Sequence, residues 1–201
     1  LSYGSRSARS GVIGGFCAIV ALLASAPAAA DTFTVTNGDD DAVTTPPGSL
    51  RAAIEAAEAN SNAPTVDQIQ ITFTGNINLV DSLPLIQTPM TITGTGASNV
   101  NVTRGPAAST QFPFFAVLPA SGDTVTIQDL RISGARAPSY AGGGVSMGGL
   151  GNLIIDSVVF SDNQSNQGGG VFYDKGFTSI RNSTLTGNDA AFGGGILASK
   201  F

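Results

Sequence analysis

The chain has 201 residues, with 14 acidic side chains against nine basic ones, a net charge of −5 and no histidine. This balance argues against nucleic acid or an anionic membrane as a partner, and without imidazole no serine or threonine can be activated by a histidine base. A single cysteine, Cys17, permits no disulfide within the chain, so packing and hydrogen bonds must hold the fold.

Residues 1–30 read as a secretory signal peptide. Arg6 and Arg9 form a basic leader, residues 12–24 are apolar and uncharged, and Ala28, Ala29 and Ala30 supply the small residues of a cleavage site before Asp31. The apolar run is too short for a membrane span of about 20 residues. Phe16 next to Cys17 makes a poor lipidation signal, because a small residue is wanted there. Cleavage would remove Arg6, Arg9 and Cys17 and leave a more acidic, cysteine-free chain. The sequence opens on Leu1 and stops inside a repeat, so a piece of a longer product is expected.

Residues 32–36 alternate apolar Phe33 and Val35 with threonine, the pattern of a strand with one buried face. Asn37 to Asp41 should form a turn with an acidic tip. Pro46, Pro47 and Gly48 break regular structure, and Ser49 should cap a helix over residues 50–60. Leu50, Ala53, Ile54 and Ala57 fall on one face of that helix, and Arg51, Glu55 and Glu58 mostly on the other. Ser61, Asn62, Ala63 and Pro64 should end it. From Asp67 onward strands and turns are expected, with Ile69, Ile71 and Phe73 pointing inward over residues 68–73. Further strands are expected over residues 76–80, 90–93, 99–103, 114–118 and 124–132. Residues 105–113 read as a loop that leaves the body of the protein.

The C-terminal third carries three glycine triplets, each followed by a β-branched residue: Gly142 to Val145, Gly168 to Val171 and Gly193 to Ile196. Their spacings are 26 and 25 residues. Ile155 and Ile180, Phe160 and Leu185, and Asn163 and Asn188 are each 25 apart. Such a period marks one small unit stacked on copies of itself, and units this short and poor in helix formers are coils of a parallel β-helix. Strands of successive coils should pair about 4.8 Å apart, glycine should supply the positive φ of the tight turns, and Asn163 and Asn188 should stack as an amide ladder that satisfies turn backbone. The helix at 50–60 should then lie over the open core and strand edge of the first coil.

Phe160, Ser161, Asp162 and Asn163 followed by Gly169, Gly170 and Val171 resemble the F-x-x-N and G-G-x-[I/V/L] repeats of polymorphic outer membrane proteins. Leu185 to Asn188 and Gly194 to Ile196 repeat the pattern with Leu for Phe, and Ala135 stands where the preceding coil would place Asn. Residues 33–69 resemble the opening segment of bacterial right-handed β-helix proteins with a C-S-L-R-E-A signature. The match is Ser49, Leu50, Arg51 and Ala53, with Gly48 in place of Cys and Ala52 in place of Glu. The resemblance implies export to a bacterial surface, often as a passenger joined to a C-terminal anchor or barrel.

Parallel β-helices also serve polysaccharide lyases and hydrolases. A lyase would need clustered carboxylates for calcium and a nearby Arg or Lys. Asp156 and Arg181 lie one coil apart, offset by a single position, and Arg131, Asp129 and Asp174 could come near; the competing reading makes all five ordinary solvent-facing residues. A hydrolase would need paired carboxylates, and the repeat region has no Asp-Asp pair. Asp39, Asp40 and Asp41 offer hard oxygen ligands for calcium, but they lack the spacing of a calcium loop and read as a solvated turn. The glycine triplets precede neither a helix nor a Lys-Ser/Thr pair, so they are not phosphate loops.

The expected fold is all-β: a right-handed parallel β-helix, or solenoid, of roughly five coils with a short N-terminal capping α-helix. The expected organisation is a signal peptide over residues 1–30, a strand and capping helix over 31–66, and β-helix coils over 67–201. The expected role is that of an exported or cell-surface, non-enzymatic scaffold of passenger or adhesin type, meeting a carbohydrate or another cell surface. The alternative is a carbohydrate-active enzyme whose site lies beyond residue 201 or near 105–113. No catalytic, cofactor or metal residue is assigned, no cofactor and no nucleic acid partner are expected, and the exported chain should not span a membrane here.

Overall fold

The computed structural model describes residues 29–60 and 65–199. The expected leader therefore lies outside the described residues apart from Ala29 and Ala30, as does the helix stop at 61–64. The described chain is a parallel β-solenoid of about five turns with one short helix.

The described chain opens with β1 (Thr32–Val35), crosses to α1 (Leu50–Ala59) and then winds. The first turn holds β2 (Asp67–Ile71) and β3 (Gly75–Leu79). The second holds β4 (Met90–Thr93), β5 (Val100–Arg104) and β6 (Phe115–Val117). The third holds β7 (Thr124–Gln128), β8 (Arg131–Ser133), β9 (Arg136–Ala141) and β10 (Val145–Met147). The fourth repeats this with β11 (Asn152–Asp156), β12 (Val159–Ser161), β13 (Gln164–Gln167) and β14 (Val171–Tyr173). The fifth closes with β15 (Phe177–Arg181), β16 (Thr184–Thr186), β17 (Asp189–Phe192) and β18 (Ile196–Ala198).

Equivalent strands pair in parallel into four sheets that run along the stack, ordered β1-β2-β4-β7-β11-β15, β3-β5-β8-β12-β16, β6-β10-β14-β18 and β9-β13-β17. The register sets identical inward positions on top of one another. Ile69, Ile92, Ile127, Ile155 and Ile180 form one aliphatic column, and Ile77, Val102, Ile132, Phe160 and Leu185 form a second. Both columns enter a single core that is fully buried through Phe160. In the fifth turn Ile180 and Leu185 are only partly buried, and Phe177, Phe192 and Ile196 are exposed.

The expected 124–132 strand is two strands. Asp129, at φ 56°, turns the chain between them, and Ser157 and Asn182 make the same turn one and two coils later at 57° and 51°. The next corner is turned by Gly134, Asp162 and Gly187, again with positive φ. Positive φ is therefore a property of the stacked corner, and Asp, Ser and Asn tolerate it where glycine is absent. The triplets combine two demands. Gly168 has φ 63°, and a Cβ on Gly169 would stand 2.3 Å from the Gly194 carbonyl oxygen of the coil beside it. The third and fourth turns differ by two residues within one sheet. Ala137 pairs with Ser165, but Ala141 pairs with Gln167, so Pro138, Ser139 and Tyr140 face the single residue Asn166. This insertion explains why the third coil keeps the beat least well. Asn166, expected from the sequence in an exposed turn, is the exposed residue of strand β13.

Helix α1 forms for local reasons. Ser49 adopts extended dihedrals and its side chain accepts a hydrogen bond from the Ala52 N–H at 3.1 Å, which satisfies one of the helix's unpaired first-turn donors. Leu50, Ala53, Ile54 and Ala57 are buried and join the core of the coils. The helix packs on β1 and β2, at the end of the stack where β1 is the outermost strand. It thus covers apolar surface and a sheet edge that would otherwise be open. Ile54 is fully buried. Ile54→Ala should cost about 2–5 kcal/mol in an equilibrium melt, and Ile54→Asp should give aggregates on a sizing column; wild-type behaviour of the Asp variant would remove the capping role.

Arg51 does not lie on the solvent face. Its side chain is 6% exposed, and Nε and Nη2 donate to the two carboxylate oxygens of Asp40 at 2.7 and 3.0 Å. Its Nη1 and Nη2 also donate to the carbonyls of Ser82 and Asp81 at 2.7 and 3.0 Å. Glu58 is likewise engaged, accepting from the N–H groups of Gln87 and Thr88 at 2.8 and 3.0 Å and from the Thr88 hydroxyl. The helix is therefore tied to the first coil at both ends.

The 105–113 segment does not leave the body. Phe112 is buried and its N–H donates to the Arg136 carbonyl at 2.9 Å, while the Ser82 hydroxyl donates to the Pro113 carbonyl at the same distance. Arg104 gathers the loop from within, donating to the carbonyls of Ala108 and Thr110 and lying 4.9 Å from the centre of the Phe112 ring. Burial, with the charge of Arg136 beside it, lowers the pKa of the Arg104 guanidinium. An apolar anchor and a half-buried cation thus hold what composition alone presented as a free loop.

Candidate functional site

The strands β3, β5 and β8 alternate around their central residues. Ile77, Val102 and Ile132 point into the core, so Asn76, Asn101 and Arg131, which are register partners, point outward. Ser133 stands two residues along on the same outer face. The Asn101 amide donates to Asn76 Oδ1 at 3.4 Å, and the Ser133 hydroxyl donates to Asn101 Oδ1 at 2.9 Å. The turn before β5 rises beside this row. There the Asn99 amide donates to the Thr95 carbonyl at 2.7 Å, and Arg131 Nε donates to the Ala97 carbonyl at 3.4 Å.

Row and turn together enclose an open cleft of about 480 Å³, lined among others by Asn76, Ser98, Asn99, Asn101 and Arg131. The lining contains no carboxylate, and its one charged group is the Arg131 guanidinium. Amides and hydroxyls present donors and acceptors in pairs, which suits a polyhydroxylated ligand, and the guanidinium suits an anionic substituent on it. Acid–base hydrolysis of a glycosidic bond needs two flanking carboxylates, and this cleft has neither.

The residues considered for lyase chemistry do not converge. Asp156 and Arg181 are direct register partners, not offset by one, and Arg181 Nε donates to Asp156 Oδ2 at 2.8 Å on the outer face of the first sheet. Asn182 donates to Asp156 Oδ1 at 2.9 Å, and these hydrogen bonds, the Asn182 amide first and Arg181 second, lower the Asp156 pKa. Asp129 sits in the turn before β8, Arg131 lines the cleft, and Asp174 follows β14 in another sheet with Oδ1 buried and without a hydrogen-bond partner.

The acidic run separates in the same way. Asp40 is buried against Arg51, and Oδ2 also accepts from the Val80 N–H at 2.8 Å. Asp41 accepts from the N–H groups of Val43 and Thr44 at 2.7 and 3.1 Å, and these bonds, Val43 first, lower its pKa. The solvated-turn reading therefore fails for Asp40, because an arginine 11 residues downstream folds back over it. Stability gained through the lowered pKa values of Asp41 and Asp156 is present above their ordinary value of 3.8 and is lost as pH falls through the folded values. Among the described residues no group of three or more His, Cys, Asp or Glu side chains could hold a metal ion, and no helix is long and apolar enough to cross a membrane.

The fold and the cleft define a parallel β-solenoid protein with a polar outer groove. No family model, curated protein or solved structure matches the chain.

Proposed function

We propose that the protein is an exported, non-enzymatic surface scaffold of passenger or adhesin type that meets a carbohydrate through the cleft over β3, β5 and β8. The observation that carries this reading is the outward row Asn76, Asn101 and Arg131, held in place by the rigid register of the sheet beneath it. A binding group mounted on a regular element is held more exactly than one on a loop, which favours recognition. The leader-like residues 1–30, and the resemblance of the repeats to polymorphic outer membrane proteins and of residues 33–69 to C-S-L-R-E-A proteins, support export and a surface location. Carboxylate-bearing sugars fit best, because Arg131 is the cleft's one charge.

Binding of uronate-containing and neutral oligosaccharides to the chain starting at Asp31 tests this. Arg131→Ala should weaken uronate binding by about tenfold or more, the loss expected for a hydrogen bond to a charged group, and Asn101→Ala should weaken both classes. Equal affinity of the Arg131→Ala protein, or no binding across the panel, would remove the cleft as the site. Release of shorter sugars during incubation would instead support the enzymatic alternative.

A further inference from the structure

We propose that hydrolysis of the Ala30–Asp31 bond creates an α-ammonium group that ion-pairs with the buried carboxylate of Asp67 and locks the first strand onto the solenoid. The inference rests on the export reading above. The Asp31 nitrogen lies 3.0 Å from Asp67 Oδ1, and Asp67 is 2% exposed. The Asn60 amide at the end of α1 donates to both Asp31 Oδ2, at 2.7 Å, and Asp67 Oδ2, at 3.2 Å. The Asn60 amide thus bridges the two carboxylates at the corner where β1, β2 and α1 meet. Cleavage adds the elements of water: hydroxyl to the Ala30 carbonyl carbon and hydrogen to the Asp31 nitrogen, which then takes a proton. A leader peptidase would supply the catalysis. A unit positive charge is thereby placed beside Asp67 and Asp31.

The position of the cut matters. Ala29 and Ala30 are exposed and outside regular structure, as a peptidase requires, whereas the Asp31 carbonyl already accepts from the Gln68 N–H at 2.8 Å in the β1–β2 ladder. The processed chain would therefore begin at the first ladder-bonded residue. Among the described residues, the elements that meet at the site carry few ionisable groups. On β2 there is Asp67, and on β1 the Asp31 side chain itself. On α1, Arg51 is paired with Asp40, Glu55 accepts from the Thr45 hydroxyl, and Glu58 accepts from Gln87 and Thr88. Residues 61–64 carry no ionisable side chain.

An ammonium that gains such a partner has its pKa raised on folding. Its contribution is full below the free α-amine value of about 7.7–8.0 and is lost as pH rises through the folded value. The experiment uses the chain with a native Asp31 terminus, the same chain with Gly-Ser ahead of Asp31, and Asp67→Asn. The α-amine titration, read from the pH dependence of its acylation, should lie about one unit above the free value in the native-terminus chain and return to it in Asp67→Asn. The native-terminus chain should melt above the Gly-Ser chain at pH 7, and the gap should close near pH 10. This comparison keeps Asp67 and stands even if Asp67→Asn fails to fold. A free-amine titration in the folded native-terminus chain, or equal melting of the two chains at pH 7, would overturn the ion pair. N-terminal sequencing of exported protein tests the other premise: a start at Asp31 supports it, and a start elsewhere overturns the cleavage reading whatever the prepared chains show.

Discussion

Arg51→Met should lower stability by about 3–5 kcal/mol, read as a lower urea midpoint, because it strands the Asp40 carboxylate in a buried position. The Asp40 side chain is 1% exposed, and after the substitution its remaining donor would be the Val80 N–H. The carbonyls of Asp81 and Ser82 would lose their guanidinium donors as well. The pair joins three segments that no regular strand pairing connects: the 37–41 turn, the start of α1 and the chain leaving β3. Its loss should therefore loosen the cap and the first coil together. Asp40→Leu combined with Arg51→Met should recover part of the loss, since replacing both partners by apolar groups removes the desolvation cost along with the attraction. A single variant that melts within 1 kcal/mol of wild type (roughly the value of an exposed pair) would show that the pair is solvated.

The coils were legible in the sequence because a solenoid writes its contacts as a period. Ile155 above Ile180 and Phe160 above Leu185 are contacts at a fixed separation of 25 residues, so the register could be counted. The third coil was harder to read, since the two residues inserted around Pro138 to Tyr140 put its earlier strands out of phase with the glycine triplets. The cap was legible only in part. The spacing of Leu50, Ala53, Ile54 and Ala57 announces a buried face, but an arginine beside that face reads as solvated unless its partner is known. Here the partner lies in an acidic run 11 residues upstream, and the other acceptors are backbone carbonyls that no side chain marks. Ser49, Leu50 and Arg51, the residues that carried the resemblance, prove to be the N-cap, the core contact and the buried cation of α1. The cleft gave only a partial signal: Asn76 and Asn101 keep the separation of 25 residues, but the third coil puts Arg131, not a repeated residue, in the row.

Asn163→Ala should be far more damaging than Asn166→Ala three residues on. Asn163 is fully buried, and its amide completes a ladder. Oδ1 accepts from the Ala135 N–H at 3.0 Å, and Nδ2 donates to the Ile132 carbonyl at 2.9 Å and to Asn188 Oδ1 at 3.0 Å. Asn188 does the same work one coil later, accepting from the Asn163 N–H at 3.1 Å and donating to the Phe160 carbonyl at 3.0 Å. Each amide thus serves the corner of the coil before it. Alanine at 163 leaves the Ala135 N–H without its acceptor beside the core, at about 1–3 kcal/mol, and takes the amide donor from the Ile132 carbonyl. Asn188→Ala removes equivalent bonds at a partly buried site that water can reach, so its cost should be smaller. Asn166 is exposed, and its loss should stay within about 0.5 kcal/mol. The expected order of urea midpoints is therefore Asn166→Ala highest, Asn188→Ala next and Asn163→Ala lowest. Equal midpoints for the first and last would mean that the amide ladder adds nothing beyond what water supplies, and that apolar columns alone set the register of the coils.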